Sequence, residues 1–187
     1  MRVHAPHVLV DRDDAPFPSV APRNGLQEFV ELPLLLRALA VPASGHVLEV
    51  GCGRGVALPV LSRHLRPASL TGIDVDAGAL ADASSRARER RASVHLRRAD
   101  VRQLPFADAC FDVVVDFGTC YHVANAARAL REIARVLKPG GAFVTETVLS
   151  QLLAHPLRTR GRPLPWRAVP ELRLVRHAGL WQMRRKE

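Results

Sequence analysis

From His46 onward, short apolar runs alternate with amphipathic stretches, and this alternation restricts the fold more than any other feature of the chain. Val47, Leu48, Glu49 and Val50 form one run, and residues 70–74, 94–96, 111–116 and 142–148 form four more; all five read as strands. Residues 56–66, 77–91 and 124–137 read as helices. The last of these places Ala127, Leu130, Ile133, Ala134 and Leu137 on one face. Strands that alternate with helices imply right-handed crossovers and a parallel sheet covered on both faces. After a short helix near 150–157, residues 172–176 and 180–184 alternate like a strand pair around His177, Ala178 and Gly179. The expected fold is α/β and doubly wound: a mostly parallel sheet of about seven strands, with one antiparallel strand near the C-terminal end.

The flanks add little apolar pattern. Residues 1–24 carry four prolines and read as an N-terminal arm, and residues 25–45 as a helical segment broken near Pro33. Residues 46–148 then form a ligand-binding core, and 149–187 a helix, a basic loop and the closing strand pair. At 187 residues, one domain is expected. No apolar run reaches the roughly 18 residues of a membrane helix, and the first residues lack a secretory core, so a cytoplasmic protein is expected. Three scattered cysteines make neither a disulfide framework nor a metal-ligand spacing.

The loop Gly51, Cys52, Gly53, Arg54, Gly55 follows the first strand, where open α/β sheets bind ligands. Glycines let a backbone turn sharply against a ligand, and the following helix offers free N–H groups. A dinucleotide fingerprint spaces its glycines as Gly-x-Gly-x-x-Gly. Here the third glycine comes one residue earlier, and Val56 occupies the position that the fingerprint needs, which disfavours a dehydrogenase. Glu49 precedes the loop inside its strand, where a carboxylate is costly without a partner; a cationic amine of the ligand would supply one. Asp74 ends the second strand, where an acid can accept hydrogen bonds from ribose hydroxyls.

With these residues on the page, the sequence resembles the class I S-adenosylmethionine-dependent methyltransferases, of the broad branch acting on small molecules. The resemblance runs from about Val47 to Val148. Glu49, Gly51, Gly53 and Gly55 match its first motif and Asp74 its second, the ribose-holding acid. Asp100 and Val101, followed by Leu104, Pro105 and Phe106, resemble the segment whose acid meets the adenine amino group. Residues 111–115 resemble the fourth-strand motif, next to Asp116, and residues 130–141 the helix and turn before the fifth strand. The resemblance implies a Rossmann-like fold, S-adenosyl-L-methionine as cofactor, and Glu49, Gly51, Gly53, Gly55, Asp74, Asp100, Val101 and Asp116 as its binding residues.

Methyl transfer from a sulfonium is a direct displacement, so the protein mainly aligns and desolvates the reactants. A base is needed only when the nucleophile keeps its proton. The loop after the fourth strand holds Tyr121 and His122, with His122 the base candidate and Tyr121 an orienting group; capping or packing the next helix is the alternative for both. This loop lacks the Pro-Pro-aromatic signature of base-amine methylation, and Cys120 lacks the context of a pyrimidine-methylating nucleophile.

Of 27 basic residues 25 are arginine, a bias that reads more like coding composition than a basic surface. Their placement is uneven: residues 151–187 hold nine basic and two acidic residues. Arg158, Arg160, Arg162 and Arg167 border the expected acceptor pocket, which suggests an anionic small-molecule acceptor; a solvated arginine-rich face is the plainer account. The connection between the fifth and sixth strands is short, so any lid must come from it, from Trp166 or from the N-terminal arm, and the expected pocket is open or completed by a second subunit. A non-catalytic cofactor-binding partner protein and an RNA methyltransferase using the basic C-terminal region stand as alternatives. No appended RNA-binding module is visible, which disfavours nucleic acid.

Overall fold

The computed structural model describes residues 24–42, 45–154 and 163–187. Its elements are, in chain order, a π-helical turn Gln27–Glu31, α1 Leu32–Ala38, β1 His46–Val50, α2 Leu58–Leu65, β2 Ser69–Asp74, α3 Ala77–Glu89 and β3 His95–Arg98. Then follow β4 Phe111–Asp116, α4 Thr119–His122, α5 Ala126–Val136, β5 Leu137–Glu146, α6 Val148–Ala154, a 3₁₀ turn Trp166–Ala168, β6 Leu172–Ala178 and β7 Trp181–Lys186.

The seven strands make one sheet in the order β3-β2-β1-β4-β5-β7-β6. All pairings from β3 to β5 are parallel, and β7 lies antiparallel between β5 and β6. The expected doubly wound sheet with a single antiparallel strand is what forms. The order reverses direction between β1 and β4, so the switch point falls at their carboxyl ends.

The central strands are apolar because helices cover both faces. Side chains alternate between the two faces. Val47, Val113, Val115, Val144 and Met183 pack with α1, α2 and part of α3. Leu48, Val50, Val114 and Phe143 pack with Leu130, Ile133 and Ala134 of α5. The edge strands are arginine-bearing, with Arg97 and Arg98 on β3 and Arg173 and Arg176 on β6, a composition that discourages pairing with other chains.

Pro33 sits in the first turn of α1, as the sequence suggests, and the break ahead of it is the π-helical turn. Glu28 on that turn is 1% exposed and ion-paired to Arg90 (2.7 Å), Arg86 (3.1 Å) and Arg63 (3.9 Å). One buried carboxylate thus ties the N-terminal helical segment to α2 and α3. Asp76 caps α3, accepting from the N–H groups of Gly78 (2.7 Å) and Ala79 (3.1 Å).

Two local readings change. Lys138 to Gly141 was expected as a turn before a strand at 142. Instead β5 begins at Leu137, which pairs with Phe111, and the register against β4 shifts before Ala142 resumes opposite Val113. The glycines make a bulge inside the strand rather than a turn outside it. Residues 119–122, expected as loop, form the single turn α4. Among the described residues no helix is long and apolar enough to cross a membrane. The expected N-terminal arm, apart from Asn24, and Arg158, Arg160 and Arg162 lie outside the described residues.

Candidate active site

Glu49, Asp74 and Asp116 gather at the carboxyl ends of β1, β2 and β4. Val50 lies opposite Ile73 on one side and Asp116 on the other, so the three acids occupy adjoining rungs. The loop after β1 is held by its backbone: Cys52 donates its N–H to the Ile73 carbonyl at 2.8 Å. Gly53 donates to Asp74 Oδ2 at 2.8 Å, across 21 residues of sequence, and Asp76 N–H donates to Oδ1 at 2.9 Å. Asp74 therefore closes the cradle with both carboxylate oxygens.

Gly51, Gly53 and Gly55 all have positive φ. At two of them space is also decisive. A Cβ on Gly51 would stand 1.9 Å from Thr119 Oγ1, and one on Gly55 would stand 2.8 Å from the Ala83 Cβ. The first glycine lets the loop lie against α4, and the third lets it lie against α3.

Glu49 is 3% exposed, and its Oε2 has no hydrogen-bond partner. Burial, with Asp74 and Asp116 nearby, raises its pKa well above the usual carboxylate range. An orphaned acid facing other acids behind a glycine cradle fits a cation-bearing ligand. Cys52 and Cys120 are buried, and burial beside these acids pushes both thiols up, so neither is a ready nucleophile.

The remaining expected residues divide. Asp100 holds Arg102 through both oxygens, at 2.6–3.1 Å, which lowers its pKa. Its side chain is 34% exposed at the end of β3. Val101 is buried in the apolar cluster with Val50 and Ile73. Arg135 secures this loop, bonding Glu132, Asp108 and the carbonyls of Leu104 and Phe106. Asp116 is fully buried and turned to the first turn of α4, accepting from Cys120 N–H at 3.2 Å and from Thr145 Oγ1 at 3.4 Å. Its direct work is to seat α4. Burial raises its pKa.

On the β4–β5 side, Tyr121 donates its hydroxyl to the Glu146 carbonyl at 3.3 Å, and burial raises its pKa. His122 ends α4 and is exposed. The sequence reading missed Glu146, the last residue of β5. Its carboxyl accepts from the Gln151 amide and is 7% exposed. Burial, with Asp116 adding repulsion, raises its pKa to about 7. The signal was available: an acid ending an apolar strand, as Glu49 nearly ends β1.

Sheet order and glycine loop define a Rossmann-like α/β protein with an acidic, glycine-lined site at the switch point. The methyltransferase domain family matches residues 48–145, more than half of the chain, and the chain belongs to that family. Membership carries S-adenosyl-L-methionine as the cofactor. A phthiotriol/phenolphthiotriol dimycocerosates methyltransferase of Mycobacterium tuberculosis is 39% identical over 97 residues, 52% of this chain and 35% of that protein. A fatty-acid O-methyltransferase of Mycolicibacterium smegmatis is 38% identical over 98 residues, with the same coverage of 52% and 35%. The chain thus spans about a third of the length of these relatives. The crystal structure of the [4+2]-cyclase SpnF superposes with a TM-score of 0.55 at 35% identity, covering 62% of this chain and 43% of that one.

Proposed function

We propose that the chain transfers a methyl group from S-adenosylmethionine to a small-molecule acceptor by direct displacement. The observation that carries this is the orphaned Oε2 of buried Glu49, set behind the glycine cradle and beside Asp74. Glu49 would meet the cofactor's amine, directly or through water, and Asp74 its ribose hydroxyls. The main chain of 51–55 would give close backbone approach, and Asp100 and Val101 would flank the adenine. The cofactor supplies a methyl group already activated on a positively charged sulfur. The chain's own task is then to align the acceptor and exclude water.

The acceptor reading is an anionic small molecule with an apolar chain. The relative named for fatty-acid O-methylation supports it, as do the nine basic residues in 151–187. Leu149, Leu152 and Leu153 support the apolar part, being 50%, 37% and 61% exposed on α6, directly after Glu146. A carboxylate acceptor is already deprotonated, so His122 is required as a base only for a hydroxyl or amine acceptor.

Isothermal calorimetry with S-adenosylmethionine and NAD tests the cofactor: binding of NAD alone would overturn the assignment. A second reading, cofactor binding without methyl transfer, is favoured by the similarity to a [4+2]-cyclase, since function resides in the site and not in the fold. Release of S-adenosylhomocysteine on addition of fatty acids supports the first reading. Tight cofactor binding without turnover across carboxylic, hydroxyl and amine acceptors supports the second.

A further inference from the structure

Arg184 on β7 is a partly buried cation without an acidic partner among the described residues. Burial lowers its pKa. Three neutral groups fix it instead. Its guanidinium lies 3.7 Å from the centre of the Trp166 ring, and Nη1 donates to the Leu172 carbonyl at 2.9 Å. Nε donates to Gln182 Oε1 at 3.3 Å. Gln182 Nε2 in turn donates to the Glu146 carbonyl at 3.3 Å, the same oxygen that receives the Tyr121 hydroxyl. A chain of hydrogen bonds therefore joins Arg184, which pairs with Phe143 inside β5, to Tyr121 through the Glu146 carbonyl that ends β5. Tyr121 and Trp166 also pack against the same apolar cluster.

Two aspects of this arrangement point to a ligand. A partly desolvated guanidinium is stabilised by an anion, and every neighbour named here is neutral. Stacking on an aromatic ring while two N–H groups are anchored fixes the plane of the guanidinium fork. That preorganisation suits two-point capture of an oxyanion. Arg158, Arg160 and Arg162 lie outside the described residues, and Arg167 is not part of this network.

We propose that Arg184, stacked on Trp166 and tied through Gln182 to the carbonyl that Tyr121 reaches, is the oxyanion subsite of the acceptor pocket. It takes a carboxylate or phosphate of an amphiphilic acceptor other than the group that is methylated, and so rests on the acceptor reading proposed above. Bound there, the anion compensates the guanidinium and orients the acceptor beside α4.

Trp166 provides a built-in reporter, because an anion captured by Arg184 changes the field over the ring that carries it. The test titrates the full chain with octanoate, octyl phosphate and octanol while following tryptophan fluorescence. The two anions should give saturable changes at concentrations about tenfold to a hundredfold below octanol, the span of a charged hydrogen bond. Their relative strength separates a carboxylate from a phosphate acceptor. Arg184→Gln should remove the preference for anions. Arg184→Lys, which keeps the charge and loses the fork, should retain only part of it. Both variants should bind S-adenosylhomocysteine like the unaltered chain, which also shows that they are folded. Octanoate and octanol binding alike, or Arg184→Gln keeping the anion preference, overturns the proposal. Failure of the unaltered chain to bind S-adenosylhomocysteine counts instead against the cofactor reading and leaves the fluorescence result independent. If Arg184→Gln does not fold, Arg184→Lys decides: an undiminished anion preference in it overturns the fork geometry.

Discussion

The two ends of the sheet's carboxyl edge are made in different ways. Around β1 and β2 the cradle is largely main chain: Cys52 N–H to the Ile73 carbonyl, and Gly53 and Asp76 N–H groups to one aspartate, all at 2.8–2.9 Å. Around β5 and β7 the site is side chain: Tyr121, Glu146, Gln151, Trp166, Gln182 and Arg184 converge from α4, β5, α6, the 3₁₀ turn and β7. A main-chain cradle depends on glycine positions and spacing and accommodates one ligand shape. A side-chain wall depends on what packs beside it and can be altered residue by residue without disturbing the cradle. The first suits a constant cofactor and the second a variable acceptor.

The comparison can be broken most severely at Gly51, where the two ends touch. Gly51→Ala forces a Cβ to 1.9 Å from Thr119 Oγ1 in a backbone with φ +63. Strain and overpacking together should cost about 3 kcal/mol or more. Urea denaturation would show it, and a variant as stable as the parent would mean that the loop does not lie against α4.

Glu146 should show its effect in pH dependence. Its folded pKa of about 7 exceeds the unfolded 4.5, so the folded state holds this proton more tightly. Its contribution is complete below about 4.5 and is lost as pH rises through about 7. Asp100 and Glu132, with lowered pKa values, act in the opposite sense, so the informative quantity is the difference from Glu146→Gln. The variant should gain on the parent by up to about 3 kcal/mol between pH 4.5 and pH 8. Parallel stability curves for the two proteins would contradict a buried, protonated Glu146.

Asp74→Ala sharpens the cradle side. Loss of a charged acceptor should weaken S-adenosylhomocysteine binding by about tenfold to a hundredfold in calorimetry. Unchanged affinity would remove Asp74 from the ribose site. Tyr121→Phe should have the smallest effect. It deletes one 3.3 Å hydrogen bond to the Glu146 carbonyl, worth about 0.5–1.5 kcal/mol of stability, and should leave cofactor affinity as it was. A large drop in cofactor affinity would mean that the two ends are not separable.

Much of the cradle was legible because its determinants are local. Alternation of apolar runs marks β1, β2 and β4, positive-φ positions call for glycine, and an acid ending β2 has few other uses there. Asp116 carries the same kind of signal, yet its carboxylate is turned inward to Cys120 and Thr145, because α4 needed an acceptor at its first turn. No local pattern announces α4, a single turn seated by that aspartate and by Thr119 against the Val50 carbonyl. The start of β5 was misplaced for a related reason: a bulge allows a turn-like Lys138, Pro139, Gly140, Gly141 to remain inside a strand.

By itself, then, the sequence determined the α/β alternation, the antiparallel closing strand, the glycine cradle and the acids of β1 and β2, all set by periodicity and by short-range backbone geometry. Only the tertiary structure decided that Glu28 clamps the N-terminal helical segment to α2 and α3, that Glu146 is buried beside Asp116, and that Arg184 lies on Trp166 without a counter-ion among the described residues. Those facts depend on which distant side chains share a desolvated space. Burial and neighbouring charge, which fix the state of an ionisable group, exist only once the chain has closed around it.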